Sequence, residues 1–489
     1  MRKRFRDCGL DQPYLLPPSL QDWLPENHLA RLVAGVVEEL DLSGIYEQYE
    51  RKDGRGLAAY HPMMLTRVLL YGYCIGKRSS RQLEKATYED VAIRYLAADQ
   101  HPDHDTIAAF RQEHLTALAS LFVQVLRLCR RVGLTKLSQV SIDGTKMRAN
   151  ASRRQSKPYR QLQSEEQELM EQVSEILGQA AQADAAEDEQ YGKGRRGEEL
   201  PEDLNTAEKR LAKIRAAKAA LEEEARSRHE QARREREAAA GKPRNEAQRK
   251  RWQRARSPEP NPEAKGNLVD PDSRVMMNSG RAGFIQGYNA QIAVDTDSHV
   301  IVAATITQQE HDKQQLVPVV EAIRRMTGRK PAVIAADSGY WSSEAVEHQS
   351  LRGIRVLVPP DAGHTRQLTS SSPRTEAAQL MRRKLAHSSG RKSYARRKGS
   401  VEPVFGTLKE HRGYRRFLFR GDAKVSAEWQ LICAAHNIRK LCASAVPRNG
   451  AEGHAKNARC ACNRKSPTRV QSKIVHAPAH SITQRPLPR

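Results

Sequence analysis

The chain is 489 residues long, with 82 Lys and Arg against 58 Asp and Glu, a formal net charge of +24. Only 38% of residues are hydrophobic and 5% aromatic; there is no run of about 18 apolar residues, which excludes a transmembrane helix, and the basic start MRKRFRDCGLDQPY lacks the apolar stretch of a secretory signal. Seven scattered cysteines exclude a disulfide framework and point to a reduced, cytoplasmic compartment.

The length suggests about two to four domains. The charge surplus favours a polyanionic partner, nucleic acid above all. It is also concentrated. Residues 366–420 hold fifteen Lys and Arg against three acids, and residues 444–489 hold nine against one.

The first 135 residues read as helical. Leu29, Leu32, Val33, Val36, Val37 and Leu40 form an amphipathic stripe. A second helix follows His61-Pro62, with Leu65, Val68 and Leu69 inward. Ser79 to Gln82 has the capping-box form and opens a short helix through Ala86. Another runs from Val91 to Ala97. Asp105 or Thr106 caps a long one carrying Ile107 through Leu126. Short helices joined by tight turns fit a helix-turn-helix DNA reader and a plain helical bundle equally.

Then the periodicity changes. Leu137 to Asp143 (LSQVSID) reads as a strand, and Tyr288 to Val294 with His299 to Ile306 as a hairpin. Leu316, Val319, Val320 and Ile323 mark a helix. Ala332 to Ala336 reads as a buried strand, 342–350 as a helix, and Arg355 to Val358 as one more strand. This alternation implies a mixed α/β sheet with covered faces. Residues 155–265 interrupt it. Leu204, Ala207, Leu211, Ile214 and Leu221 form a brief coiled-coil seam that stops at Lys218, with Leu162, Leu169, Val173 and Ile176 as a partner stripe. A helical hairpin results, followed by a polar, unstructured stretch over 226–265.

Two aspartates occupy equivalent places. Asp143 and Asp337 each end a strand and open a glycine turn, at the sheet rim where ligands bind in α/β folds. Asp-Gly alone is a common structural turn. Two such ends in one strongly basic chain point to a shared divalent metal, because Mg²⁺ takes a few carboxylates plus water and phosphate oxygens. A third acid, Glu402, lies beside the apolar helix stripe Val401, Val404, Phe405 and Leu408, and shares a face with Lys409 seven residues on. Arg412, Arg415, Arg416 and Arg420 extend outward from it. Other motifs carry less. His101-x2-His104 reads as a helix-capping segment rather than a metal site, Trp341 as core rather than a base-stacking platform, and Cys460-x-Cys462 lacks a second ligand pair.

SIDGTK (141–146), QGYNAQIAVD (286–295), ADSGYWS (336–342) and VEPVFGTLK (401–409), with PENHLARLV (25–33) and HPDHDTIAAFR (101–111), resemble the bacterial insertion-sequence transposases of the DDE type. The resemblance covers roughly residues 1–442. It implies a ribonuclease H-like mixed sheet with helices, preceded by an all-α N-terminal domain and interrupted by the helical, coiled-coil-like insertion. It also implies that Asp143, Asp337 and Glu402 hold two catalytic ions, Mg²⁺ or Mn²⁺. Glu402-x6-Lys409 fits the family's glutamate region. Tyr394-x2-Arg397 is present as well, although four residues rather than three separate Arg397 from Glu402. Lys409, Arg397 and Tyr394, with Arg412, Arg415 and Arg416, are then the expected DNA contacts.

The implied activity is metal-dependent cleavage at terminal inverted repeats and strand transfer by the freed 3′-hydroxyl, with double-stranded DNA as partner. A homodimer is expected in the synaptic complex, in the bacterial cytoplasm at the nucleoid. The implied division is 1–135 for DNA-end binding, 136–154 with 284–442 for catalysis, 155–283 as charged insertion and linker, and 443–489 as a basic, disordered tail. Two readings compete: a transposase-derived DNA-binding protein with an idle triad, and a structural nucleic-acid-binding protein that leaves the strand-end aspartates unexplained.

Overall fold

A computed structural model of the protein describes residues 19–51, 58–191, 202–238, 241, 243, 246–255, 257–278, 283–360 and 375–445. The chain begins with helices because its apolar residues recur at helical spacing. α1 (Leu29–Glu38) buries Val33, Val36 and Val37, and His28 caps it by accepting from the Ala30 amide at 3.1 Å. α2 (Ser43–Glu50) buries just Ile45, which is why its stripe escapes the periodicity reading. α3 (Pro62–Ile75) starts on proline, where no amide hydrogen is needed. α4 (Ser80–Glu89) starts after Ser79, but without the side-chain bond that a capping box requires. α5 (Val91–Leu96) is capped by Asp90.

The single long helix expected from Asp105 or Thr106 is two helices, α6 (His104–Glu113) and α7 (Leu115–Arg131). The cap is Asp103, whose Oδ1 accepts from the Thr106 amide at 2.6 Å. The break at His114 buries that ring between Tyr49 and Phe110, a partner choice made across the fold rather than along the helix.

β1 (Gln139–Arg148) starts the sheet and is longer than the sequence pattern suggests. The insertion follows: β2 (Ser156–Pro158), α8 (Tyr159–Tyr191), α9 (Glu202–Ala238), α10 (Glu246–Arg254) and β3 (Lys265–Asn267). β2 and β3 pair at its base. In the hairpin Leu162 and Leu169 pack on Leu211, Ile214, Ala217 and Leu221, while Lys218 turns out of the seam to Glu166 at 2.7 Å. The polar stretch after residue 226 is not structureless, contrary to its composition. α9 continues to Ala238, laced by pairs such as Arg228–Glu224 and Arg234–Glu230, and Trp252 of α10 is buried against it.

The sheet is completed by β4 (Arg274–Met277), β5 (Phe284–Asp295) and β6 (Ile301–Thr307), then α11 (Leu316–Thr327), β7 (Val333–Ala335), α12 (Ser343–Val346) and β8 (Arg355–Leu357). α13 (Glu376–Ala386), α14 (Ser388–Gly406) and α15 (Asp422–Ala445) follow. Across the sheet, β4 and β6 share the outer edge of β5; β5, β1, β7 and β8 follow in that order. β1 runs antiparallel to β5 and parallel to β7, and β7 parallel to β8. This is the ribonuclease H-like arrangement expected, with the all-α region before it and the helical insertion inside it.

α15 binds the two regions together. Trp429, Ile432, Cys433 and Ile438 are buried in one apolar core with the N-terminal helices and the sheet. Asn437 bonds both backbone groups of Ile301 at 2.8 Å. No described helix is long and apolar enough to cross a membrane. The expected tail, beyond Ala445, and Cys460-x-Cys462 lie outside the described residues.

Glu428, fully buried on α15, accepts from the Leu418 and Phe419 amides at 2.8 and 3.1 Å and pairs with Arg78 at 3.3 Å. Glu428→Ala leaves those donors unsatisfied, so urea denaturation should report a loss of about 3 kcal/mol or more. Glu410→Ala, which removes the exposed pair with Arg415, should cost less than about 1 kcal/mol.

Candidate active site

The register of β1 brings the two aspartates together. Parallel pairing with β7 ends at Ser141↔Ala335. Asp143 and Asp337 each lie two residues further on, at the same edge of the sheet. Asp143 does not end its strand, as the sequence suggested, because β5 continues to pair with β1 as far as Arg148↔Gly287. What ends there is the β7 ladder.

Asp143 Oδ1 accepts from the Gly144 amide at 2.8 Å, and its Oδ2 pairs with Arg397 Nη1 at 3.2 Å. Asp337 caps the short turn Ser338–Tyr340, accepting from the Gly339 amide at 2.9 Å. Burial pushes the Asp143 carboxyl up to about 6, helped by the charge of Asp337 and opposed by Arg397. Burial also raises Asp337, again with Arg397 opposing. Arg397 is thus the buried counter-ion of both. Tyr394, one turn earlier on α14, is held above its usual range by burial and stands beside Arg397.

The sequence pattern missed a third carboxylate at this edge, Asp312. Its Oδ1 accepts from Asn289 Nδ2 at 2.7 Å and Gln291 Nε2 at 2.6 Å, and Lys146 Nζ lies 4.0 Å away. Its charge acts on both Asp143 and Asp337. One signal pointed to it: β5 carries two amides, Asn289 and Gln291, on one face in the middle of a buried strand. Both are fully buried and need partners.

Glu402 is not gathered with these groups. It is exposed on α14 and makes no hydrogen bond or ion pair among the described residues. Nor does it share a face with Lys409, as the spacing of seven suggested. A π-helical turn, Thr407–His411, intervenes and shifts the helical phase. Lys409 is thereby swung onto β1, bonding Thr145 Oγ1 and, at 3.1 Å, the Lys146 carbonyl.

The remaining basic residues lie further along. The Arg415 carbonyl accepts from the Arg148 amide at 3.1 Å, and Arg416 Nε donates to the Ala149 carbonyl at 3.2 Å, both at the far end of β1. Arg412 sits instead over Gly76, at the end of α3. Trp341 is half-buried against the core. His101 and His104 turn to different partners, Thr87 and Glu84.

Chemically, Asp143 and Asp337 offer hard oxygen ligands of the kind Mg²⁺ and Mn²⁺ take, with water and phosphate oxygens filling the remaining positions. The burial that raises Asp143, and the like charge of Asp337 that adds to it, are what a shared cation would offset. Among the described residues no three His, Cys, Asp or Glu side chains stand close enough to hold an ion by themselves.

A family described as "Transposase DDE domain" matches residues 255–438, and one described as "Transposase domain (DUF772)" matches residues 18–113. The first spans Asp337 and Glu402 but begins after Asp143; the second spans α1 to α6. No curated protein and no solved structure matches the chain. The two matched families, lying in order over more than half of the chain and on a ribonuclease H-like fold, give its identity: it is a DNA transposase of the insertion-sequence DDE family.

Proposed function

We propose that this transposase binds the terminal inverted repeats of its element, cuts them in a metal-dependent reaction, and joins the freed 3′-hydroxyl to target DNA. The observation that carries the reading is the half-buried Asp143–Asp337 pair with its buried counter-ion Arg397. A divalent ion held there supplies an acidified water and positive charge for the phosphate. Asp143 and Asp337 bind it, and Glu402 completes the set by a rotation of α14. Pro403 and the π-helical turn are the weak points of that helix. Lys409, fixed on β1, aligns the backbone of the DNA end with Arg397 and Tyr394 beside it, while Arg412, Arg415 and Arg416 extend the contact. The helices before residue 136 grip the end, and two copies synapse two ends. The exposed position of Glu402 favours a second reading, a DNA-binding protein with an idle triad.

One assay separates them. On DNA carrying the inverted repeats, Asp143→Asn, Asp337→Asn and Glu402→Gln should each lower Mg²⁺-dependent cleavage by at least about 100-fold while leaving DNA affinity within a few-fold. No cleavage by the parent protein, with intact binding, selects the idle reading. Full cleavage by Glu402→Gln removes that residue from the site.

A second test uses acidity. Asp143 titrates at about 6 in the fold against an ordinary 3.8, so folding favours its protonated form. That advantage is present at pH 4, and as pH rises through 6 the folded state comes to carry a penalised charge. Asparagine never ionises. With chelator present, Asp143→Asn should therefore gain about 2–3 kcal/mol on the parent between pH 4 and pH 7 in denaturant titrations. A constant difference would show that Asp143 is not perturbed.

Arg415→Ala and Arg416→Ala should weaken binding to all DNA sequences alike. Each should reduce the slope of log affinity against log salt by about one; an unchanged slope takes that residue off the backbone contact.

A further inference from the structure

Gly144 is the one position of the SIDGTK segment without a side chain, and the space it leaves is used. A methyl group there would lie 2.8 Å from Asp312 Oδ1, and closer still to Gln291 Nε2. The glycine therefore lets a carboxylate from the turn after β6 settle against β1 on the face that Gly144 presents, close enough for its charge to act on Asp143. The settling is costly to build. Asn289 and Gln291, both fully buried, each donate to one oxygen of Asp312, and Asn289 also donates to the Gln309 carbonyl at 3.1 Å. Gln291 is itself braced by the Tyr340 hydroxyl, three residues after Asp337.

The other oxygen, Oδ2, takes no hydrogen bond from the described residues. It faces the turn after β7: a methyl group at Gly339 would lie 3.0 Å from Asp337 Oδ1 and 3.9 Å from Asp312 Oδ2. A second observation points the same way. Asn289 Oδ1 is buried without a hydrogen-bond partner and is directed at Gly144, 3.0 Å from a methyl group placed there. A free carboxylate oxygen beside the turn that carries Asp337, and an unpartnered amide oxygen beside Gly144, are an oxygen set without a donor. Oxygen sets of this kind suit a hard cation and its bound water.

We infer that Asp312 is a positioning residue of the cation site, adding its charge and its free Oδ2 to the ion shared by Asp143 and Asp337 through that ion's bound water. Gly144 is the glycine that admits it. Lys146, with its Nζ on the Glu310 carbonyl, holds the turn that carries Asp312. The inference rests on the metal reading above, and the test separates the two.

Mn²⁺ binding to the full chain, without DNA, is measured by calorimetry or by the loss of the free-ion resonance signal. Asp312→Asn keeps the oxygen that accepts from Asn289 and Gln291 and removes the charge and Oδ2. It should melt near the parent without metal and bind Mn²⁺ about 10-fold more weakly, the scale of an outer-shell loss. Asp337→Asn should bind more weakly still. Parent-like affinity in a folded Asp312→Asn protein overturns the inference while leaving the metal reading intact. Absence of Mn²⁺ binding in the parent, or its indifference to Asp337→Asn, overturns both. If Asp312→Asn does not fold, Gly144→Ala puts the same question from the strand side: its methyl group displaces Gln291 and, with it, Asp312, and unchanged Mn²⁺ affinity overturns the inference.

Discussion

The double pairing of β1 is the constraint on which the rest of the molecule depends. On one side β5 pairs with it antiparallel over its length, and on the other β7 pairs parallel for three residues. The parallel pair needs a crossover, which α11 supplies, and the crossover must leave β7 short so that the chain can turn at Ser338–Tyr340. Where β7 departs, β1 goes on with that side free of strand pairing until Arg148 bridges to Arg416. That is where Asp143 bonds the following amide with its own carboxylate and where Asp337 caps a turn. The edge is thus a direct result of two strands of unequal length sharing a partner. The apolar side chains Val140 and Ile142, both fully buried, anchor that register, since a slip of one residue would exchange the sheet faces of Asp143 and Gly144.

Gathering like charges at this edge works against folding, and the burial of Asp143 makes the conflict acute. Arg397 offsets it from α14, with Ser400 of the same helix bonded to Ser141 to keep the two elements in step. A buried pair of this kind adds little net stability, because desolvation consumes most of the attraction. Its value lies in holding α14 across the strand ends, which ties the position of the basic helix to that of the carboxylates. The site is therefore a place where the chain gives up stability for chemistry, as functional sites commonly do.

The parts of the fold legible in the sequence are those whose signal is local. The runs around Val140, Ile292, Ile334 and Val356 read as strands because their apolar residues are contiguous or alternate, and α1 reads as a helix from its stripe. The break at His114 was not legible, since it is driven by rings from elsewhere in the chain. Nor was the order in α10, whose Trp252 finds its partner sixteen residues away or more. The site divides in the same way. Asp143 and Asp337 stand out because each follows an apolar run and has a glycine within two residues after it. Asp312 hides in a polar turn that resembles any helix approach, and its role exists because Gly144 leaves room on a neighbouring strand. Glu402 shows the limit of spacing arguments. It lies five residues beyond Arg397, about 140° around a regular helix, so the two cannot both face the sheet while α14 stays regular. The π-helical turn then breaks the phase between Glu402 and Lys409, and no count of residues foretells such a turn.

The surplus of positive charge and the cluster of acids are reconciled by depth. Arg383, Lys384, Arg391, Lys392, Arg396 and Lys398 are exposed along α13 and α14, whereas Arg397 in their midst is buried against Asp143. Exposed charges act through water and salt, so their field reaches about 8 Å at physiological ionic strength before it is screened, and it is positive. Buried charges act through the protein, where the effective dielectric is lower and the carboxylates prevail at short range. A polyanion approaching α13 and α14 therefore meets a net positive surface first, in which Glu376 and Glu402 are the exposed acids, and the paired Asp143 and Asp337 lie deeper, at the edge where a small cation can sit between them and a phosphate. Because the two fields differ in range, one surface can draw in DNA while its deepest point repels anions until a cation neutralises it. On this arrangement the order of charge along the approach, rather than the total of +24, is what suits the chain to its substrate.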